Sequence, residues 1–381
     1  MKVLFITHYT DMLGANRSML QLILELRDRG VDSTVLIPYT KGNNELEEEL
    51  KRHSIKVISG SFRCIKHSIW WKVLINYIYA EFLQYKLLRN LEDYKFDIIH
   101  SNSSIINLGK RIARRLKSRH VWHLREFGDK DYKLKTPFGK WFQKVIYGGE
   151  NDYIAISDKI YKHYSKYIDS NKLHLIYNGI KVPQCYIKST NNILQFCIVG
   201  VISPQKGQID VLFAANELLN IRKITEFHIS IIGQGSIEYE NRLKSYVEAN
   251  HLSGFVDFVG YQSDVNKLLK GMDVGIMASA NEAFGRVTIE YMMNRLAVIA
   301  SDGGANKEIV QDKLTGLIYP VGEYIALADK MESLIKDPKS AKRLAEQGRE
   351  WAAVNFSSRT NAENIIRLYM EILNLSQNEQ H

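Results

Sequence analysis

Two glutamates, Glu282 and Glu290, flank a short glycine-containing turn that could bind a phosphorylated ligand. The turn follows residues 273–277, an apolar run typical of a buried parallel strand, and precedes an amphipathic helical pattern. The first amides of a helix lack intrahelical partners and its dipole is positive there, so an anion such as a pyrophosphate is stabilised. Gly285 would let the anion approach the backbone, and Glu290, about two turns inside the helix, could accept hydrogen bonds from ribose hydroxyls. Two solvated glutamates with a chance spacing are the competing interpretation.

Three more turns follow apolar runs in the same half of the chain, at residues 200–207, 233–235 and 302–310. In the first, backbone amides and Lys206 can face a phosphate, although a lone lysine in a turn is usually just exposed to solvent. Gly233 and Gly235 form a partial glycine loop without the later acid of the dinucleotide fingerprint. Chance explains poorly why all these turns leave the carboxyl ends of strands in one domain.

The composition bounds the class of protein. A chain of 381 residues is too long for one ordinary core, which favours two domains. The three cysteines, Cys64, Cys185 and Cys197, are odd in number and lack metal-ligand spacing, so we expect a reducing compartment and no metal site. Residues 1–7 are too short an apolar run for a signal peptide, and no apolar stretch is long enough to cross a bilayer. These features predict a cytoplasmic protein.

The charge is unevenly distributed along the chain. Residues 1–185 contain 31 Lys and Arg against 19 Asp and Glu, a net charge of +12, whereas residues 186–381 contain 20 against 23, a net charge of −3. A basic first half indicates an anionic partner, either nucleic acid or an anionic membrane surface. A basic surface that serves only solubility is the alternative.

Apolar runs alternate with helical patterns, which predicts an α/β protein. In the first half, a polar loop at residues 11–17 precedes a helix at 18–29, and strands are predicted at 3–7, 34–37, 56–58, 97–100, 120–124, 153–156 and 173–176. In the second half, a helix is predicted at 209–219 and strands at 194–199, 227–232, 256–259, 274–277, 297–300 and 317–319. The segment 181–192 lacks apolar periodicity. We therefore predict two doubly wound domains, residues 1–185 and 186–357, with a ligand cleft between them and a final helix at 358–381 that packs back on the first.

In this order the motifs resemble the large retaining glycosyltransferase family 4 (glycosyl transferases group 1). Its members have the GT-B fold, in which two Rossmann-like domains face each other across a cleft. The resemblance is strongest from Gly200 to Pro320. The family's glycine, lysine–glycine pair, Gly-x-Gly, paired glutamates and Asp-Gly-Gly turn are matched by Gly200, Lys206 and Gly207, Gly233 and Gly235, Glu282 and Glu290, and Asp302 with Glu308.

In the first domain the resemblance is looser. Residues 13–17 stand where the family often has Gly-Gly-Ala-Glu-Arg, so Gly14 matches whereas Leu13 and Asn16 depart from the pattern. His123 matches the histidine that in this family points at the donor sugar. A histidine that ends a strand is more often a loop hydrogen-bonder, which is the competing interpretation.

One departure concerns the phosphate contacts. Val201 stands where the family commonly has an arginine that helps to neutralise the diphosphate. Lys206 would then carry this charge, with Arg286 or Arg125 as possible helpers.

The resemblance implies transfer of a sugar from a nucleotide diphosphate donor, with a UDP-sugar favoured, to a hydroxyl with retention of the anomeric configuration. It implies that neither a metal nor a cofactor is needed. It also implies that the two domains close and bring His123 and the Gly14 loop over the sugar. The catalytic residues implied are Glu282, His123 and Lys206. The implied donor-binding residues are Gly14, Gly200, Lys206, Gly233, Phe284, Gly285, Arg286, Val287, Thr288 and Glu290.

Two basic clusters that also contain aromatic residues suit the interface of an anionic membrane. One cluster, within residues 61–89, includes Trp70, Trp71, Tyr77, Tyr79, Phe82, Tyr85, Lys86 and Arg89. The other consists of Lys130, Lys133, Lys135, Lys140, Trp141 and Lys144. They predict peripheral attachment at the inner face of the plasma membrane, where the enzyme would reach a glycan or lipid-linked acceptor of surface polysaccharide synthesis; core packing of the aromatic side chains is the alternative.

Two other functions compete with catalysis. The first is a nucleotide-sugar-binding subunit that serves a partner transferase, which the departures Leu13, Asn16 and Val201 would allow. The second is nucleic-acid binding by the basic half, for which no recognition motif is present, so we expect no nucleic-acid partner.

Overall fold

The computed structural model describes residues 1–42, 44–62, 71, 75, 84–85, 87–128, 144, 146–183 and 193–378. The chain divides into two compact units. The first comprises Met1–Gly179 with Ser358–His381, and the second comprises Ile180–Ser357. The domain border predicted between residues 185 and 186 lies in the segment 184–192, outside the described residues.

The first unit is built on a seven-stranded parallel sheet with the strand order β3-β2-β1-β4-β5-β6-β7. Its strands are β1 (Lys2–Ile6), β2 (Asp32–Pro38), β3 (Lys56–Gly60), β4 (Ile98–Ser101), β5 (Arg119–Leu124), β6 (Asn151–Ala155) and β7 (Leu173–Leu175). Its helices in the described part are α1 (Gly14–Arg27), α2 (Glu45–Arg52), α3 (Leu108–Leu116), α4 (Asp158–Tyr164) and, at the end of the chain, α12 (Ser358–Asn378). The order reverses between β1 and β4, and ligands bind doubly wound sheets at such a point.

Helix α12 belongs to the core of the first unit. Its buried side chains, including Ile365 and Tyr369, share one apolar cluster with Leu22 and Ile23 of α1. The start of the helix is tied down by Ser358, whose hydroxyl donates to Glu25 at 2.7 Å. Residues more than 300 positions apart in the chain therefore stabilise the same sheet face.

Helix α1 begins at Gly14, four residues before the predicted start, so the prediction of a loop at residues 14–17 is wrong. The reason is the buried side chain of Asn16. Its Oδ1 accepts from the Thr7 hydroxyl at 2.7 Å, and its Nδ2 donates to the carbonyls of Tyr9 and Asp11 at 3.1 and 2.7 Å. A polar residue that looks solvated in the sequence thus fixes the loop from inside the first helical turn.

The second unit contains a six-stranded parallel sheet with the order β10-β9-β8-β11-β12-β13. Its strands are β8 (Leu194–Val199), β9 (Phe227–Ile232), β10 (Val256–Gly260), β11 (Val274–Met277), β12 (Ala297–Ser301) and β13 (Leu317–Tyr319). Its helices are α5 (Gln208–Asn216), α6 (Ile237–Ala249), α7 (Val265–Leu269), α8 (Arg286–Met293), α9 (Asn306–Ile309), α10 (Tyr324–Lys336) and α11 (Pro338–Asn355). A 3₁₀ turn (Pro204–Lys206) precedes α5, and a π turn (Glu217–Ile221) follows it.

The side chain of Tyr291, on α8, packs where the strand order reverses in the second sheet, between β8 and β11. Strands β8 and β11 pair at Val274 and Gly275. A Cβ on Gly275 would overlap the ring of Tyr291, so the glycine provides the space for this side chain. The buried hydroxyl accepts from the Val199 amide at 2.7 Å and lies 3.4 Å from the Ile276 carbonyl. It thereby satisfies backbone groups where the two strands part.

In the part of the chain that the structure describes, no helix has the length and apolar character needed to span a membrane.

Candidate nucleotide-sugar site

Four loops meet at the carboxyl edge of the second sheet. They follow β8, β9, β11 and β12, and they contain residues 200–207, 233–235, 278–285 and 302–305. Strands β8 and β11 flank the reversal of strand order. A parallel α/β sheet binds its ligands at this place.

The loop after β8 is attached to the loop after β11. Gly207 has a φ of +72°, and a Cβ there would lie 2.5 Å from the Ala278 carbonyl oxygen. The carbonyl of Gln205 accepts from the Ala280 amide and from the Ser279 hydroxyl, both at 3.3 Å. These contacts hold the 3₁₀ turn against residues 278–280, so that its last residue, Lys206, points to the neighbouring loop.

Lys206 and Glu282 form an ion pair, in which the Lys206 ammonium donates to Glu282 Oε1. The Lys206 side chain is 34% exposed and that of Glu282 15% exposed, so the pair is shielded but accessible. The Glu282 backbone is held by the turn after β12: its carbonyl accepts from the Ala305 amide at 2.9 Å. In the same turn Gly304, with a φ of +58°, leaves no room for a Cβ beside the Glu282 backbone. Three loops therefore position one cation and one carboxylate.

Helix α8 starts at Arg286. The residue before it, Gly285, has the left-handed conformation with a φ of +81°. Glu290 therefore lies about one turn inside the helix, and the predicted two turns are wrong because Gly285 delays the helix start. Arg286 Nε donates to Glu290 Oε1 at 2.8 Å, and both side chains are about one-fifth exposed. A cation in the first turn adds to the positive potential of the helix N-terminus.

Other members of the predicted donor-binding set face the interior of the unit. Phe284 is buried near Phe356. The Thr288 side chain is fully buried, and its hydroxyl lies 3.3 Å from Asn306 Oδ1, whereas Val287 is half-buried. For Phe284 and Thr288, the backbone is the part that can face a ligand.

The two glycines after β8 and β9 pack backbone against backbone. Gly200 and Gly233 have φ values of +148° and +145°, and a Cβ on Gly233 would overlap the Gly200 carbonyl oxygen. Val201, which replaces the arginine that the resemblance implies, is 63% exposed. The loop after β8 therefore exposes an apolar side chain at this position.

In the first unit, His123 lies near the end of β5 and is fully buried. Its Nδ1 is 3.0 Å from His100 Nε2 and 3.3 Å from Nη2 of Arg125. Burial, followed by the charge of Arg125, lowers the pKa values of His100 and His123 well below the ordinary value, so both rings are neutral at pH 7.

Gly14 and Arg125 also lie in the first unit. Gly14 begins α1, is exposed, and has open space where a Cβ would be. The Arg125 guanidinium is buried and donates to Asn102 Oδ1 at 2.6 Å and to Asn178 Oδ1 at 2.5 Å. Because Arg125 is buried among these hydrogen-bond partners, its side chain is less accessible to a phosphate than the partly exposed side chain of Arg286.

Several residues that shape these sites were missed in the sequence. Gly275, a glycine inside a strand, is the signal that could have revealed the close approach of Tyr291. Asn306, whose Nδ2 lies 3.3 Å from the Ser301 hydroxyl, and Tyr369, which bonds to His100, carry no local signal. Within the described ranges, no group of three or more His, Cys, Asp or Glu side chains could hold a metal ion.

Comparisons with known proteins match both halves of the chain. Residues 13–183 match the family described as Glycosyltransferase Family 4, and residues 187–351 match Glycosyl transferases group 1. An uncharacterised glycosyltransferase of Methanocaldococcus jannaschii is 28% identical over 76% of this chain and 79% of its own length. The Escherichia coli enzyme named UDP-Gal:alpha-D-GlcNAc-diphosphoundecaprenol alpha-1,3-galactosyltransferase is 23% identical over 76% of this chain and 78% of its own length.

Solved structures share the fold. Anabaena HepE in complex with UDP superposes with a TM-score of 0.79 at 19% identity, covering 97% of this chain and 100% of HepE. A glycosyltransferase of Rickettsia africae gives a TM-score of 0.80 at 20% identity and covers 98% of both chains. The two parallel sheets and these solved structures show the GT-B fold of two Rossmann-like units. The family matches over both halves of the chain show that it belongs to glycosyltransferase family 4, the glycosyl transferases group 1.

Proposed function

We propose that this glycosyltransferase moves a sugar from a UDP-sugar to a hydroxyl of a glycan or lipid-linked acceptor in surface polysaccharide synthesis, with retention of configuration and without a metal ion. The observation that carries the proposal is the Lys206–Glu282 ion pair at the strand reversal of the second sheet. It places one cation and one carboxylate at the edge where a nucleotide diphosphate and its sugar would bind.

The chemical difficulty of the reaction is the negative charge that develops on the departing diphosphate. Groups that are fixed before the reaction stabilise such charge most effectively. Lys206 is held by its turn, and the first amides of α8 and the side chain of Arg286 add positive potential. These groups can neutralise the leaving group without a divalent cation, which is the basis for proposing metal independence.

Glu282 is proposed to bind a hydroxyl of the donor sugar and to stabilise positive charge on the ring. Hydrolytic retaining glycosidases use a free carboxylate as nucleophile and a second carboxyl group across the bond. The Glu282 carboxylate is instead bound by Lys206, and a carboxylate engaged with a cation is a weaker nucleophile. This favours a route in which the leaving phosphate assists attack from the same face, which retains the configuration.

The names of similar proteins support the donor and acceptor classes. HepE was solved with UDP and with UDP-glucose. The Escherichia coli galactosyltransferase is named for UDP-Gal and a diphosphoundecaprenol-linked sugar, and a Staphylococcus aureus relative for capsular polysaccharide biosynthesis. Since these names describe transferases, they give no support to the alternative of a binding-only subunit.

The test is donor turnover by Lys206→Ala, compared with the wild type, across UDP- and GDP-sugars. Loss of one preorganised cation should lower kcat/KM for the UDP-sugar by about 10²–10³-fold. The matched control is Lys336→Ala, which breaks the Lys336–Glu332 pair on α10, away from the sheet edge. EDTA should leave wild-type turnover unchanged. Activity that EDTA abolishes and magnesium or manganese restores would contradict metal independence, and UDP-sugar binding without turnover would favour the binding subunit.

Membrane attachment through the basic aromatic clusters remains a proposal. Most of their members, including Trp70, Lys86, Lys130 and Trp141, lie outside the described residues. Of the others, Trp71 and Tyr85 are 47% and 68% exposed, and Arg89 and Lys144 are exposed. For Trp71 and Tyr85 this exposure argues against core packing and supports an interfacial role.

We expect the protein to sediment with vesicles that contain anionic lipid and to be released by salt, because the attraction is electrostatic and screened. Trp71→Ser with Tyr85→Ser should weaken binding. The control is Ile221→Ser with Val354→Ser, which changes exposed apolar residues of the second unit. Equal binding to neutral and anionic vesicles would contradict the proposal.

A further inference from the structure

A chain of hydrogen-bonding groups runs from the C-terminal helix to the buried histidine of the first unit. The Tyr369 hydroxyl on α12 lies 2.6 Å from His100 Nδ1, and His100 Nε2 lies 3.0 Å from His123 Nδ1. All three side chains are fully buried. The atom at the end of the chain, His123 Nε2, is also buried and has no hydrogen-bond partner among the described residues.

Two proton arrangements would satisfy this chain if it stood by itself. In one, each group donates toward His123: Tyr369 to His100, and His100 Nε2–H to His123. In the other, each donates toward Tyr369. A neutral imidazole has one donor and one acceptor nitrogen, so a choice at one ring determines the choice at the next.

Arg125 selects between the two arrangements. Its Nη2 lies 3.3 Å from His123 Nδ1, and a guanidinium can only donate. Asn102 and Asn178 accept from its Nε and Nη1 at 2.6 and 2.5 Å and so fix its plane. Arg125 therefore favours His123 Nδ1 as an acceptor, and the chain agrees with it when His100 Nδ1 accepts from the Tyr369 hydroxyl and His100 Nε2 donates to His123 Nδ1.

We infer that Arg125 directly, and Tyr369 acting through His100, hold His123 as the Nε2–H tautomer, so that it presents a hydrogen-bond donor to an oxygen of the bound sugar. A buried donor without an acceptor lowers stability, so the site requires an oxygen there, from water in the resting protein and from a sugar hydroxyl in the donor complex. Tyr369 is thus a positioning residue for His123. The identity of the oxygen rests on the proposed function, whereas the tautomer does not.

The test is long-range ¹H–¹⁵N NMR of the full-length protein labelled at histidine, with the His123 signals assigned by their loss in His123→Gln. The expected wild-type spectrum shows a proton on His123 Nε2 and none on Nδ1. Tyr369→Phe removes the donor to His100, so His100 can carry its proton on Nδ1 and its Nε2 then accepts from His123 Nδ1, in opposition to Arg125. The variant should therefore give a mixture of His123 tautomers. It should also raise KM for the donor about five- to tenfold, the effect of weakening one neutral hydrogen bond, with a small change in kcat.

Tyr153→Phe is the matched control, because it removes another buried tyrosine hydroxyl of the first unit, one that donates to the Tyr147 carbonyl. It should alter neither the tautomer nor KM. A wild-type His123 with its proton on Nδ1, a Tyr369→Phe spectrum identical to the wild type, or the same change in Tyr153→Phe would each overturn the inference. The NMR measurement needs no substrate, so a wild type without any transfer activity would refute the proposed function and leave the tautomer to be decided separately.

Discussion

At the residue scale, Glu282 and Glu290 differ in the origin of their cationic partners. Glu290 pairs with Arg286 of its own helix, whereas Glu282 pairs with Lys206 from a loop 76 residues away. The Arg286–Glu290 pair is a local feature of α8. The Lys206–Glu282 pair exists only because the fold brings the β8 and β11 loops together. Glu282 is therefore the carboxylate that we propose to act on the donor sugar.

We predict that Glu282→Gln lowers kcat for the UDP-sugar about 10- to 100-fold and changes donor KM by less than about threefold. Gln keeps the shape and an accepting oxygen but removes the negative charge, which matters most when positive charge develops on the sugar ring. Steady-state kinetics on the donor would check this. The control is Glu346→Gln, which neutralises the partner of Arg295 elsewhere in the second unit. A large rise in KM with unchanged kcat would make Glu282 a donor-binding residue only.

At the element scale, the loops of the second sheet depend on close contact between glycines. We predict that Gly233→Ala destabilises the protein by about 2 kcal/mol or more, since the added Cβ would overlap the Gly200 carbonyl and strain a positive φ. This corresponds to a fall of about 4–8 °C in Tm for a unit of this size. Donor affinity should fall as well, because the β8 and β9 loops would be pushed apart.

The control for this prediction is Gly254→Ala. A Cβ at Gly254 meets nothing within 4 Å, and its φ is outside the left-handed region. Thermal unfolding and UDP titration of both variants measure the contrast. Equal Tm values for the two variants would show that the Gly200–Gly233 contact is not tight in solution.

The bounds of strands and helices differ in how well the sequence predicts them. Strands β8, β9, β11 and β13 have the predicted bounds, because each is a short, mostly apolar run between polar turns. The predicted start of α1 and the predicted depth of Glu290 in α8 are wrong, because Asn16 acts through tertiary contacts and Gly285 through its backbone conformation, which periodicity does not record. The motif glycines lie, as predicted, in loops at the carboxyl edge of the second sheet. The partners of Lys206 and His123 could not be predicted, since they come from distant segments.

At the scale of the whole molecule, the two units differ in how they bury histidine. In the first unit His100, His120 and His123 are buried, and burial lowers the pKa of each, to about 4 for His120. His120 is held between Asn151 Oδ1 at 2.7 Å and the Ser101 hydroxyl at 2.9 Å. The two histidines of the second unit, His228 and His251, are partly or fully exposed.

This difference predicts that acid destabilises the first unit before the second. Below a pH of about 6.5 the unfolded chain protonates histidines that the folded unit keeps neutral, so the free energy of unfolding falls as the pH falls. The free energy of unfolding is highest above pH 6.5 and falls below it by at most about 1.4 kcal/mol per pH unit for each buried histidine, for His120 down to about pH 4. Burial raises the pKa of Glu126, which has the opposite sign and offsets part of the loss.

Hydrogen exchange followed by mass spectrometry between pH 7 and pH 4.5, corrected for intrinsic rates, resolves the two units in one sample. Peptides from β4, β5 and β6 should lose protection as the pH falls, while peptides from β8, β11 and β12 keep theirs. The variant His120→Gln can retain hydrogen bonds to Ser101 and Asn151 but cannot take up the proton. It should therefore reduce the pH dependence of the free energy of opening of the first unit by the contribution of one histidine. If the wild type and His120→Gln show the same pH dependence, or the second unit opens first, the buried histidines do not control the acid sensitivity.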